Sequence, residues 1–179
     1  LGLPNLRASF PRFGGGSAVT EALLSGSLHF ASGGAPSALL LWDRTRGAVK
    51  SAFAMNATSQ KLLTVNPAVK TVADLQPSDR IALPAVKVSN QAVYLQMAAA
   101  KAWGTKEFSH LDAQTIGRSH PDAMAAMLSK TEINCHFSSS PFQERALAQP
   151  GVREIANSYD ILGLTTCTPN TIFANASFR

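Results

Sequence analysis

The sequence predicts an α/β protein, and three observations carry that expectation. Short apolar runs alternate with stretches patterned for helix. Three strand-to-helix joints (residues 14–17, 32–36 and 84–90) carry Gly, Ser or Pro at their tips. A fresh strand-and-helix series then begins after Asn66-Pro67, which suggests a crossing into a second lobe. Strands separated by helices argue for parallel pairing, and in such sheets ligand loops gather at the carboxyl ends of the strands.

Residues 6–13, LRASFPRF, read as a strand interrupted by Pro11 and ended by Gly14-Gly15-Gly16. Ser17 then caps a helix over residues 18–25, with Val19, Ala22 and Leu23 on one face and Gly26 past its end. A short strand at 28–31 leads through Ser32-Gly33-Gly34-Ala35 to Pro36, well placed as the first residue of a helix that Gly47 closes. Residues 49–65 read as two extended runs, and 71–75 as a helical turn.

Residues 80–104 are the most informative stretch. Ile81-Ala82-Leu83 is an apolar run closed by Pro84, a loop follows, and Ser89 or Asn90 caps a helix that Gly104 stops. Free backbone N–H groups and the positive end of the dipole meet at such a helix start, which suits an anion or an acceptor-rich group. Many βα loops have the same form and bind nothing.

Further on, residues 108–116 read as a strand and Pro121 starts a helix through Lys130. Residues 132–137 alternate, with Ile133, Cys135 and Phe137 one way and Glu132, Asn134 and His136 the other, before the polar tip Ser138-Ser139-Ser140-Pro141 and a helix at 142–148. Residues 152–156 and 168–178 read as extended, with NSYDILG between them.

Composition excludes more than it selects. The chain has 179 residues, 45% of them apolar, enough for one domain or two small lobes. No run approaches the roughly 18 apolar residues of a membrane span, and the first residues do not resemble a signal peptide. A net charge of +5 comes from lysines and arginines scattered singly, without the basic patches or interleaved aromatics of nucleic-acid grooves. The four histidines show no metal-ligand spacing. Cys135 and Cys167 form no CxxC, and whether they pair is open. His136 beside Cys135 invites a Cys/His nucleophile, but adjacent strand residues face opposite ways. Trp42 and Trp103 end helices and either pack or wall a pocket.

The segments GGGSAVTEALLSGSLHFASGG (14–34), NPAVKTVADLQPSDRIALPAVKVSNQAVYLQMAAA (66–100), HPDAMAAMLSKTEINCHFSSSPFQERAL (120–147) and SYDILG (158–163) carry a likeness. The chain resembles solute-binding proteins of ABC importers, of the nitrate/taurine/sulfonate type that includes thiamine-precursor binders. The most telling pieces are GGGSA…ALLSG…DFASGG, here with His29 in place of the acidic residue, VKT..DL…D.IA.P, and HFSS.PF.

The resemblance implies a two-lobed type II periplasmic-binding-protein fold, each lobe a small sheet flanked by helices, truncated here at both ends. Lobe 1 is expected over 1–66 plus 162–179 and lobe 2 over 67–161. The family's ligand-facing loops fall on Gly15, Gly16 and Ser17; Gly34; Lys87, Val88 and Ser89; and Ser138, Ser139 and Ser140. Plain capping is an equal alternative for the serines, and simple solvation for Lys87.

The function implied is capture of a small anionic or polar organic solute for a membrane permease. Periplasmic or lipid-anchored placement is implied too, without catalysis, cofactor, metal or nucleic acid. A sheet edge left open would invite a second copy. The alternatives are an enzyme on the same scaffold, desulfinase-like or thiamine-precursor-synthesising, and the sensing lobes of a transcription regulator.

Overall fold

The computed structural model describes residues 4–5, 7–13 and 16–176, with the backbone alone at 16 and 17. The chain runs α1 (Gly16–Leu24), β1 (Phe30–Gly34), α2 (Ala35–Arg44), β2 (Val49–Ala54), β3 (Lys61–Thr64), β4 (Ile81–Leu83) and α3 (Asn90–Trp103). It continues with β5 (Thr115–Gly117), α4 (His120–Ser129), β6 (Cys135–Ser138), α5 (Phe142–Leu147), β7 (Arg153–Asn157), α6 (Ser158–Leu162) and β8 (Asn170–Asn175).

Two sheets form. One is three-stranded, in the order β1-β8-β2, and the other five-stranded, in the order β5-β4-β6-β3-β7. Parallel pairing is confined to β4 with β5 and β6; β3 runs antiparallel to β6 and β7, and β8 antiparallel to β1 and β2. The wholly parallel expectation fails because β3 and β8 enter their sheets from the two crossing segments, against the direction of their neighbours. Since Lys61–Thr64 already belongs to the five-stranded sheet, the chain changes sheets before residue 61. Asn66-Pro67 marks a turn instead, in which Asn66 Nδ2 donates to the buried Asp79 at 2.9 Å.

Period-two alternation builds the larger core. Leu62, Ile81, Leu83, Cys135 and Phe137 meet Ala92, Tyr94, Leu95 and Ala98 of α3 on one face; Leu63 and Ala82 meet Ala123 and Met127 of α4 on the other. Each fully buried Leu or Ile contributes about 2 kcal/mol by leaving water. Helix α3 is bounded as its sequence requires: Ser89 Oγ accepts from Ala92 N at 3.2 Å, and Gly104 takes φ +103°, a conformation closed to side-chain-bearing residues. The three-stranded sheet has a smaller core, with Leu23 of α1 and Leu41 of α2 packed over Ala31, Val49 and Phe173.

Several expected strands are absent or shorter. Residues 7–13 are irregular and exposed, since Pro11 lacks a ladder donor and no strand lies alongside; residue 6 is outside the described residues. Residues 108–111 form a turn and Asp112–Gln114 a 3-10 turn, with Thr115 Oγ1 donating to the Asp112 carbonyl at 2.7 Å, so only Thr115–Gly117 is strand. No helix among the described residues is long and apolar enough to cross a membrane.

Candidate functional site

The carboxyl ends of β1, β4 and β6 turn toward one another, as the placement of ligand loops in α/β sheets requires. They enclose a cavity of about 290 Å³ between the two sheets. Ser32, Gly33, Gly34 and Ser37 wall it from the three-stranded side, together with Asn170. Val88, Ser89, Asn90, Gln91, His120 and Ser139 wall it from the other, and Gln60 closes it from the crossing. His120 is the one ionisable side chain among the described lining residues.

The first turn of α3 supplies the donors. Ser89 uses its side chain to cap Ala92, leaving the amides of Asn90 and Gln91 without an acceptor among the described residues. Asn90 is also where the two halves of the molecule meet. Its Nδ2 donates to the Pro169 carbonyl at 2.6 Å, and that same carbonyl accepts from Ala35 N at the head of α2. Gly34 approaches so closely that a Cβ there would lie 2.5 Å from Asn90 Oδ1. Asn90 Oδ1 and Gln60 Oε1 are buried acceptors with no hydrogen-bond partner among the described residues, on residues only 4% and 2% exposed. Buried polar atoms are rarely left so. The described wall therefore offers donors and acceptors and, among the described residues, no fixed charge.

His120 begins α4 and reaches two partners. Its Nε2 lies 3.3 Å from Gln91 Nε2, and its Nδ1 lies 3.0 Å from Nε2 of His136 in the middle of β6. Burial pushes His120 down to about 4. Burial, and then the adjacent His120, push His136 down to about 3. Both rings are neutral at neutral pH.

Of the residues expected at the site, Gly34, Val88, Ser89 and Ser139 line the cavity. Lys87 does not: it is exposed, in a left-handed backbone conformation with φ +67°. Ser138 is fully buried in β6, two residues from His136 and so on the same face, and its hydroxyl has no partner among the described residues. Ser140 is exposed and donates to Glu144 at 2.8 Å. Gly16 and Ser17 open α1, which reaches the cavity through Val19, while Gly15 lies outside the described residues.

Sequence reasoning missed Gln60, Asn90, Gln91, His120 and Asn170 as wall residues. The only signal for any of them was position in the first turn of a helix, which Asn90, Gln91 and His120 share.

Cys135 and His136 take opposite faces of β6. Cys135 packs toward α3 and donates to Thr64 Oγ1 at 3.3 Å, and burial pushes its thiol up to about 12. Cys135 and Cys167 are both free thiols. Trp103 stacks on His110 at 4.3 Å, away from the cavity. Among the described residues, no three metal-ligating side chains gather.

No protein-family model matches the chain. No curated protein matches it either. Similar solved structures include the alkanesulfonate-binding protein of Xanthomonas axonopodis pv. citri bound to MOPS, at 23% identity and TM-score 0.71 over 91% of this chain and 53% of that one. The periplasmic aliphatic sulphonate binding protein of Escherichia coli is 23% identical at TM-score 0.67, over 98% of this chain and 57% of that one. A binding protein component of a phosphonate ABC transporter from Pseudomonas aeruginosa is 13% identical at TM-score 0.60, over 92% and 56%. The chain thus spans a little over half the length of these proteins. Its likeness to them is one of architecture: this chain has the two-lobed α/β fold of the periplasmic binding proteins that serve ABC importers.

Proposed function

We propose that the chain captures a small anionic or polar organic solute between its two sheets and presents it to an ABC-type permease on the outer side of the membrane. The three-stranded sheet with α1 and α2 acts as one lobe, and the five-stranded sheet with its helices as the other. The observation that carries this reading is the shared cavity, in which the free Asn90 and Gln91 amides face the Gly34 joint of the opposite sheet. Amides at a helix start favour an oxyanion, and the unpartnered Gln60 and Asn90 oxygens favour a solute that also donates. Sulfonates, taurine among them, rank ahead of nitrate because two of the similar proteins bind sulfonates.

Gly34, Val88, Ser89 and Ser139 belong to the binding surface by position, and Gly15, Gly16 and Ser17 are assigned to it from the family resemblance. An enzyme on this scaffold would need a nucleophile, for which Cys135 and Cys167 qualify by type; Cys135 is buried on the face of β6 turned toward α3, and neither is among the described residues that line the cavity. Pairing with a second copy at an open sheet edge has no support and is not part of the proposal.

Thermal unfolding of the purified chain against sulfonates, nitrate, carboxylates and pyrimidines tests the reading. At about a hundredfold excess over Kd, a binding solute adds about 2.7 kcal/mol of stability, a rise of several degrees. A sulfonate is expected to give that rise; an unchanged midpoint with every compound contradicts the proposal.

A further inference from the structure

A polar column leads from the cavity into the core of the larger sheet. An amide nitrogen can only donate, so His120 receives the Gln91 contact on Nε2 and carries its own proton on Nδ1. It then donates to His136 Nε2, which leaves the His136 proton on Nδ1, a buried atom without a partner among the described residues. Beside it on the same face of β6, the Ser138 hydroxyl is equally unpartnered. Turning the Gln91 amide over would place its oxygen against His120 Nε2 and ask that nitrogen to donate. A doubly protonated His120 satisfies both neighbours at once, Gln91 through Nε2 and His136 through Nδ1. Its positive charge would then stand in a wall that has no other ionisable side chain among the described residues.

We propose that His120 is the proton-binding group of the cleft, so that an anionic headgroup is captured together with one proton from solvent and affinity rises as the medium becomes more acid. This inference rests on the cleft being the solute site. An anion a few ångströms away in the cleft favours the charged imidazole through its opposite charge, with both ring N–H groups still held by Gln91 and His136, and so opposes the burial that otherwise keeps the ring neutral. By linkage, affinity then rises about tenfold for each unit the pH falls while the pH lies between the values His120 has with and without the anion.

Other charges around the pair are already engaged or turned away. Arg118 pairs with Glu132 ahead of α4, and Asp122 accepts from Ser119 at 2.6 Å. On α5, Glu144 and Arg145 are exposed, Glu144 being held by Ser140 and Gln143. β4 carries no ionisable residue. On β3, Lys61 is paired with Glu154 at 2.6 Å. On α3, Tyr94 packs with Phe137 on the opposite face of the sheet, and Lys101 donates to the Asp160 carbonyl.

The test titrates the intact chain with ethanesulfonate, and with ethyl methyl sulfone as the uncharged counterpart. Amide NMR of Asn90 and Gln91 reports occupancy. Ring-nitrogen shifts of ¹⁵N-histidine report the His120 proton, and calorimetry in two buffers of different ionisation enthalpy counts protons taken up. The expected result is uptake approaching one proton near pH 5 with ethanesulfonate, none with the sulfone, and a pH-independent affinity in His120→Gln. Perturbed Asn90 and Gln91 amides with no proton uptake and unchanged His120 shifts would overturn this inference while leaving the solute reading intact. Undisturbed Asn90 and Gln91 amides with ethanesulfonate and every other sulfonate of the series would overturn both.

Discussion

Gly34→Ala is expected to cost tenfold or more in solute affinity while leaving the secondary structure unchanged. The Cβ would arrive 2.5 Å from Asn90 Oδ1, 2.8 Å from its Cγ and 2.9 Å from its Nδ2, all inside van der Waals contact. Asn90 cannot swing aside cheaply, because it is buried and its amide is tied to the Pro169 carbonyl and to Asn170 Oδ1. The methyl group therefore separates the heads of α2 and α3, widening the cavity where their loops must touch one solute. Overpacking of this kind also costs about 1–3 kcal/mol of stability. Adding Asn90→Ala removes the obstacle, so the double variant is expected to be less destabilised than the sum of the two single changes. Isothermal calorimetry and urea midpoints on the four proteins of that cycle check both statements. Wild-type affinity in Gly34→Ala would show that the two joints are not opposed in the binding form.

Phe137→Ala is expected to give the largest loss of stability, about 3–5 kcal/mol. Phe137 is fully buried in β6, between β4 and β3, and its ring lies 6.3 Å from that of Tyr94. Leu62, its partner across β3, and Leu83, Leu95 and Ala99 of the same core are themselves fully buried in strands and helix and are not free to fill the space. With total stabilities of about 5–15 kcal/mol for a domain, the change removes a large share. Because β6 also delivers Ser139 to the cavity, affinity should fall with it. A loss of unfolding free energy in urea smaller than a third of that amount would mean that α3 is not packed on that face of the larger sheet.

Legibility in the sequence followed locality. Helix α3 was readable because its cap, its helix-forming run and its stop all lie within residues 89–104, and the Gly34 joint was readable for the same reason. The strand at β6 was readable as a strand, but its alternation suggested one wet face. Both faces are dry because α3 covers one and α4 the other, which no single segment announces. Ser138 was read as loop, although its even spacing from His136 already placed the two on one face. Lys87 drew attention by its charge; one left-handed residue turns it away while Val88 next to it reaches the wall. Gln60, Asn170 and His120 come from a crossing, a strand start and a helix start far apart in the chain. Only the meeting of the two sheets makes them neighbours.

A crystal of the chain grown with an alkanesulfonate would test the central claim most directly, through difference density. The account predicts a sulfonate group within hydrogen-bond distance of the Asn90 and Gln91 amides, with Gly34 on one side and His120 on the other. Density for the sulfonate elsewhere, for instance in the apolar groove lined by Leu39 and Trp42, with nothing between the two sheets, would contradict it.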